Sequence, residues 1–440
     1  MAINAAEALP SDLPSTATVS RAYAWLVFAL TFGLLLSDYM SRQVLNAVFP
    51  LLKVEWALSD TQLGSLSSIV ALMVGLLTFP LSLLADRWGR VKSLVLMAGL
   101  WSLATLGCAV SASYGQMFAA RFFVGVGEAA YGSVGIAVVL SVFPAHLRAS
   151  LTGAFTSGGA FGSVLGMAFG GVIAMHFGWR WAFGAMAAFG LMLVAIYPFI
   201  VTEKRLAPKH PAAPGGHPRK LNGAPALKTL LPGLFSARSV ICAYIGSGLQ
   251  LFIMGSMLAW MPSFLNRYYQ MAPDRAGLTA AVFVLITGVG MIGCGIVTDR
   301  VSRNFAIRKW IMAIGYALAS FALLMVAFRL DAGPLQLALI GAGMFLVVGT
   351  IGPAGAMVAN LTHSSIHATA FATLTLANNL LGLAPGPFVT GMIADRVGLL
   401  GAMQIIPLVS VAAAAVFAIG SRHYAGDLRR LAELRQQANG

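Results

Sequence analysis

Along almost the whole chain, apolar residues come in unbroken runs, without the alternation or one-faced stripes of water-soluble elements. The runs fall at about 22–50, 60–84, 92–112, 115–143, 149–176, 180–201, 237–268, 276–298, 307–328, 334–361, 367–393 and 399–420. Each can cross about 30 Å of hydrocarbon as a helix, a span that takes about 20 mostly apolar residues. A helix that is apolar all round needs an apolar surround, and lipid supplies it while the helix satisfies its own backbone. The pattern predicts an all-α membrane protein of twelve transmembrane helices. One stretch breaks the rhythm. Residues 202–236 are polar, carry Pro208, Pro211, Pro214, Gly215, Gly216 and Pro218 among several Lys and Arg, and read as a solvated linker. The expected order is a tail at 1–21, a six-helix bundle at 22–201, the linker at 202–236, a second six-helix bundle at 237–421 and a tail at 422–440.

Composition agrees with the pattern. The chain is 58% hydrophobic and only 10% charged, with a mean hydropathy of +0.83; a soluble domain carries about 25% charged residues. The net charge of +14 gains meaning from its position. With the N-terminus inside, about 20 of the 28 Lys and Arg lie on the cytoplasmic side and about 6 outside, which satisfies the positive-inside rule. Both tails and the linker are then cytoplasmic, and the chain is a multi-pass protein of the cell inner membrane. No basic stripe with interleaved aromatics points to nucleic acid. Cys108, Cys242 and Cys294 all sit in apolar runs without metal-ligand spacing, so neither a metal nor a cofactor is indicated. The first apolar run lacks a basic region before it, which argues against a cleaved signal peptide.

The two halves repeat. Asp86-Arg87-Trp88-Gly89-Arg90 closes the second helix and Asp299-Arg300-Val301-Ser302-Arg303 the eighth, while Gly171–Gly178 (GVIAMHFG) aligns with Gly391–Gly398 (GMIADRVG). Internal repeats on this scale are the usual architecture of secondary transporters.

Two arginines, Arg42 and Arg121, belong to neither side of the membrane, and only two carboxylates, Asp38 and Glu128, lie well inside apolar runs. An ion at mid-bilayer costs about 2.5–3.5 kcal/mol or more, so all four are candidate functional groups. Asp38 and Arg42 are i,i+4 on one face of helix 1, and Arg121 and Glu128 lie almost on one line of helix 4. The four predict a network without net charge. It either fixes helix packing as a structural ion-pair set or lets Glu128 or Asp38 exchange a proton while an arginine engages substrate. Burial and the neighbouring guanidinium act oppositely on Glu128, and that competition is a physical basis for proton coupling. The second half offers only Gln250, Thr287, Asn360, Asn378 and Asn379 among Phe, Met and Leu. A cavity charged on one wall and apolar on the other suits an amphiphile, with Arg42, Arg121, Tyr39, Asn378 and Asn379 as candidate substrate contacts.

Small residues mark close packing. Gly158, Gly162, Gly166 and Gly170 form a ridge on helix 5, and helix 8 carries Gly288, Gly290, Gly293 and Gly295. Such ridges let helices approach closely, and between the halves they would let the halves rock. Pro385-Gly386-Pro387 beside Asn378 and Asn379 predicts a break in helix 11, whose freed carbonyls need partners.

These residues resemble the major facilitator superfamily over essentially the whole chain. Its loop signature between helices 2 and 3, G-x-L-A-D-R-x-G-R-[KR], is similar to Ser82-Leu83-Leu84-Ala85-Asp86-Arg87-Trp88-Gly89-Arg90-Val91-Lys92, with Ser82 for the first Gly and the last base displaced to Lys92. Its helix 4 signature, R-F-x-x-G-x-G-E-A, matches Arg121-Phe122-Phe123-Val124-Gly125-Val126-Gly127-Glu128-Ala129. The antiporter-type Gly-Pro step of helix 5 is absent from Gly153–Gly171. Leu58–Gly64 (LSDTQLG) and Gly178–Phe183 (GWRWAF) resemble the spinster-like group, which is implicated in transport of lysolipids and sphingoid lipids. The anion:cation symporter group, which carries organic acids, shares several of these strings. Helix 1 departs from N-[FY]-[LM]-D-R, with its acid at Asp38, three residues earlier. The resemblance implies rocking of two bundles around a central site, in which Asp86, Arg87 and Arg90, with Asp299 and Arg300 at the repeated position, brace an inner gate. Proton-linked transport, proton-independent uniport and lipid export all remain open. A single chain holding both halves can work as a monomer. An enzyme would need a nucleophile–base or metal-ligand set, and His146, His176, His363 and His367 stand near helix ends without one.

Overall fold

The structure is a computed structural model that describes residues 19–144, 147–206, 235, 237–362 and 367–439. The first 18 residues, most of the linker, His146 and His363 lie outside it, as do the side chains of Asp86 and His367. Twelve helices among the described residues are long and apolar enough to cross a membrane: α1 (Arg21–Trp56), α2 (Asp60–Ala85), α3 (Arg90–Val110), α4 (Tyr114–Val142), α5 (Ser150–Phe177), α6 (Trp179–Ile200), α7 (Arg238–Tyr268), α8 (Pro273–Ser302), α9 (Arg308–Ala327), α10 (Pro334–Leu361), α11 (Thr369–Ile405) and α12 (Leu408–Leu431). Their starts carry ordinary signals. Ser20 caps α1, Ser59 and Gln62 form a capping box on α2, Ser113 caps α4, and Pro273 and Pro334 open α8 and α10. Large apolar side chains such as Phe199, Val289 and Ile292 are exposed, which suits a surface bathed in lipid.

The repeat read from sequence is visible in the backbone. Gly178 ends the fifth helix at φ 90°, ψ 156°, and Gly398 divides α11 at φ 79°, ψ 161°. Both angles lie where a side chain is disfavoured, which explains why the two octapeptides end on glycine. The fourth helix of each half is also interrupted. α4 breaks at Ala129 and Ala130, and α10 passes through a 3-10 turn at Val348–Thr350. The break expected in helix 11 is a π turn, Asn379–Leu383, directly before Pro385. Trp260 Nε1 donates to Pro387 O at 3.0 Å, so one carbonyl of this region finds its partner on α7.

The glycine ridge of α5 works differently from the expectation. A Cβ at Gly158, Gly162, Gly166 or Gly170 would meet Phe32, Leu36, Met40 or Val44 of α1, so the ridge packs inside its own half. Contact between halves falls on other glycines. Gly171 lies against Pro273 and Gly277 of α8, and Gly64 and Gly391 join α2 to α11. These contacts close the end of the bundle opposite the chain termini.

Candidate functional site

The GxGE element of α4 explains how a carboxylate comes to be buried. A Cβ at Gly125 would strike Met73 and Val70 of α2, and one at Gly127 would strike Trp101 and Met97 of α3. The two glycines let α4 sink between these helices and carry Glu128 into the interior. The helix then breaks, and Thr78 Oγ1 donates to the released Ala129 carbonyl at 2.7 Å. Interrupted helices near mid-membrane are where transporters build their sites.

Glu128 meets α1 there. Arg42 Nε lies 2.6 Å from Glu128 Oε2 and 3.6 Å from Asp38 Oδ1. Asp38 and Glu128 are each 3% exposed, while the Arg42 side chain is 20% exposed. Arg42 is thus the one member of the trio with a way out of the protein. Among the described residues, neither Glu128 oxygen has an aligned hydrogen-bond donor, and neither has Asp38 Oδ1. Two carboxyls therefore share one guanidinium, one at contact and the other 3.6 Å away. The Tyr39 ring lies 5.3 Å from the Arg42 guanidinium carbon.

Arg121 takes another place. It is 1% exposed, and its Nε and Nη1 donate to Leu66 O at 3.3 Å and Ser41 O at 3.0 Å. No carboxylate comes within ion-pair distance of it among the described residues, so the expected four-charge network is a trio with Arg121 behind it. Asn379 donates to Thr375 O at 3.0 Å and packs against Gly75 of α2, while Asn378 Oδ1 is buried without a partner among the described residues. At the termini-bearing end Arg87, Arg90, Asp299 and Arg300 are all exposed, and none forms an ion pair among the described residues.

Sequence reasoning missed the opposite end. Asp60 accepts both Arg267 Nη1 and Nη2, at 2.8 and 2.7 Å, and Lys53 Nζ at 2.6 Å. Asp395 reaches from α11 to the start of α2, accepting Asp60 N–H at 2.7 Å, Thr61 N–H at 2.9 Å and the Thr61 hydroxyl at 2.6 Å. A carboxylate from one half thus caps a helix of the other, while an arginine of the second half grips the first acid of that helix. Phe388 N–H adds a bond to Ser68 Oγ at 3.1 Å. The available signal was Asp60 within Leu58–Gly64, together with Asp395 inside the repeated octapeptide where the first copy has Met175.

Comparison with known proteins agrees with this architecture. The model of the Major Facilitator Superfamily matches residues 31–352. The chain is 25% identical over 399 residues to protein spinster homolog 1 of Xenopus laevis, covering 84% of this chain and 73% of that protein. It is 26% identical over 298 residues to the probable L-galactonate transporter of Escherichia coli (strain K12), covering 66% and 65%. A crystal structure of a bacterial homologue of the human lysosomal transporter spinster, inward-facing and unoccupied, superposes with a TM-score of 0.84 at 20% identity, over 93% of this chain and 99% of the other. Twelve spans, the repeat and the matched model together place the chain in the major facilitator superfamily: it is a secondary transporter, not an enzyme.

Proposed function

We propose that the protein is a proton-coupled carrier that moves an amphiphile with a charged head, such as a lysolipid or sphingoid lipid, by alternating access. The observation that carries this reading is Arg42, partly exposed and shared by two buried carboxyls. Two carboxyls facing one guanidinium at contact leave room for a proton. A proton on Glu128 weakens its hold on Arg42 and frees the guanidinium for an anionic head. Loss of that proton restores the ion pair and expels the head. Substrate and Glu128 thus compete for one cation, and the competition is the coupling. Asp38 keeps Arg42 in place during the exchange. Tyr39 and the free carbonyl oxygen of Asn378 offer further contacts, Asn379 stands where α11 meets α2, and Arg121 straps α4 to α1 and α2.

The Lys and Arg distribution supports a location in the cell inner membrane with both termini in the cytoplasm. The state described is then closed outside and open inside, and Asp86, Arg87, Arg90, Asp299 and Arg300 pair in the alternate state. One chain supplies both halves and works as a monomer.

Proteoliposomes test the reading. A pH gradient should drive uptake of a labelled lysolipid, and Glu128→Gln should abolish that response while substrate exchange without a gradient persists. Flux that ignores the gradient in the wild type would remove the coupling and leave a uniporter or exporter. The similarity to a probable L-galactonate transporter favours a second reading, an organic-anion/proton symporter with the same Arg42 gripping a carboxylate. Competition of labelled lysolipid uptake by a sugar acid separates the two.

A further inference from the structure

At the termini-bearing end, away from the trio, α7 begins beside the last turns of α12. Between them lies a recess of about 260 Å³ lined by Arg238, Arg422, His423, Gly426, Asp427 and Arg430. Arg422, Gly426 and Arg430 are spaced i, i+4, i+8 along the last turns of α12, so they share one face. Gly426 supplies the floor, and a Cβ there would meet nothing within 4 Å among the described residues. Arg238 is the first residue of α7, where the helix presents its positive end. The single acid of the lining is already engaged: Asp427 Oδ2 accepts Ser239 N–H at 2.9 Å and the Ser239 hydroxyl at 2.5 Å. None of the three guanidiniums forms an ion pair among the described residues.

We propose that this recess seats the phosphate of an anionic phospholipid headgroup. Three unpaired guanidiniums around an open floor match a phosphate's several oxygens. Arginines needed only for topology would be solvated singly, without a recess between two helix ends. The choice of a lipid over a free anion rests on what adjoins the recess. The face of α12 that carries Arg422, Gly426 and Arg430 continues into the membrane as Leu408, Val411, Ala415 and Ile419, all exposed. Phe235 is exposed at the same level, edge-on to Tyr244 at 6.2 Å. A headgroup in the recess can therefore lay its acyl chains along that apolar stripe, and a free phosphate gains nothing from it. Basic pockets between helix ends are known chemistry for acidic lipid headgroups.

The test is native mass spectrometry of the purified full chain titrated with phosphatidylglycerol and, separately, phosphatidylcholine. Wild type should bind phosphatidylglycerol more tightly than phosphatidylcholine. Each of Arg238→Gln, Arg422→Gln and Arg430→Gln should weaken phosphatidylglycerol about fivefold, and the triple variant by roughly 100-fold. Phosphatidylcholine affinity should not change. The triple Arg→Lys variant should keep most of the preference, and if the triple Gln variant fails to fold, the single variants decide. Wild-type phosphatidylglycerol affinity in the folded Gln variants would overturn the proposal. So would equal binding of the two lipids, or full displacement of phosphatidylglycerol by millimolar inorganic phosphate.

Discussion

The two contacts that shut one end of the bundle are copies of each other by the internal repeat, yet they are built unequally. In the α5–α8 copy, Gly171 lies against Pro273 and Gly277, and Gly277 against Met167. In the α11–α2 copy, Gly391 lies against Asp60 and Thr61, and Gly64 against Pro387. Close backbone approach is common to both. The polar latch is not: Asp395 caps α2, whereas the first octapeptide has Met175 in its place. The glycine contacts bring each helix against backbone carbonyls of the other, and they set how tightly the halves can meet. A carboxylate on a helix N-terminus can be broken and remade when water enters. The comparison teaches that the repeat supplies the shape of closure on both sides, while one side alone supplies a polar switch.

The largest expected effect comes from spoiling the shared feature. Leucine at Gly391 or Gly171 would overlap backbone of the other half, and overpacking of this kind costs about 1–3 kcal/mol. The ratio of closed to open at this end should fall between about fivefold and over 100-fold. Maleimide labelling of Ser68→Cys, with Cys108, Cys242 and Cys294 replaced by Ser, reads this directly, because Ser68 is bonded across the α2–α11 contact. Indifference to both leucines would refute the claim that this end is shut by glycines.

Next comes Arg267→Gln. Asp60 is 4% exposed and would keep only Lys53. Stranding a buried acid costs several kcal/mol, and with Lys53 present and the site near water about 1–2 kcal/mol is expected. The same labelling should rise about fivefold to thirtyfold. Lys53→Gln added to Arg267→Gln should raise it further, since neither cation then remains.

Asp395→Asn is a finer probe of the asymmetry. Asparagine still caps a helix through its one carbonyl oxygen, but Asp395 accepts on both oxygens, so the charge and one backbone N–H bond go, about 1 kcal/mol in all. Labelling of Ser68→Cys should rise up to about fivefold. Met175→Asn, at the repeated position, should leave it unchanged. Equal responses would mean that the two copies share the latch after all.

Much of this molecule was legible in sequence for physical reasons. Lipid demands long apolar helices, so twelve spans stand out, and it penalises charge, so Asp38, Arg42 and Glu128 stand out too. Glycine at a left-handed turn ties 171–178 to 391–398. What escaped depends on which face meets which neighbour. Nothing along the chain says that Arg121 donates to the carbonyls of Ser41 and Leu66, or that the α5 ridge faces α1. Asp60 and Asp395 escaped because acids at helix ends are ordinary, and only the fold brings two such ends together.

The smallest effect is expected at the termini-bearing end, and it sharpens the comparison from the other side. Arg87, Arg90, Asp299 and Arg300 are exposed and without ion pairs among the described residues, so Arg90→Gln or Asp299→Asn removes no bond from this state. Melting temperature should move by no more than about 0.5 kcal/mol corresponds to, the range of surface substitutions. On the alternating-access mechanism we propose, their influence belongs to the alternate state, in which these groups would meet. Labelling at the closed end should therefore fall slightly, because weakening the alternate state favours the present one. A rise would show that these charges already hold the present state, and the division of labour between the two ends would be lost.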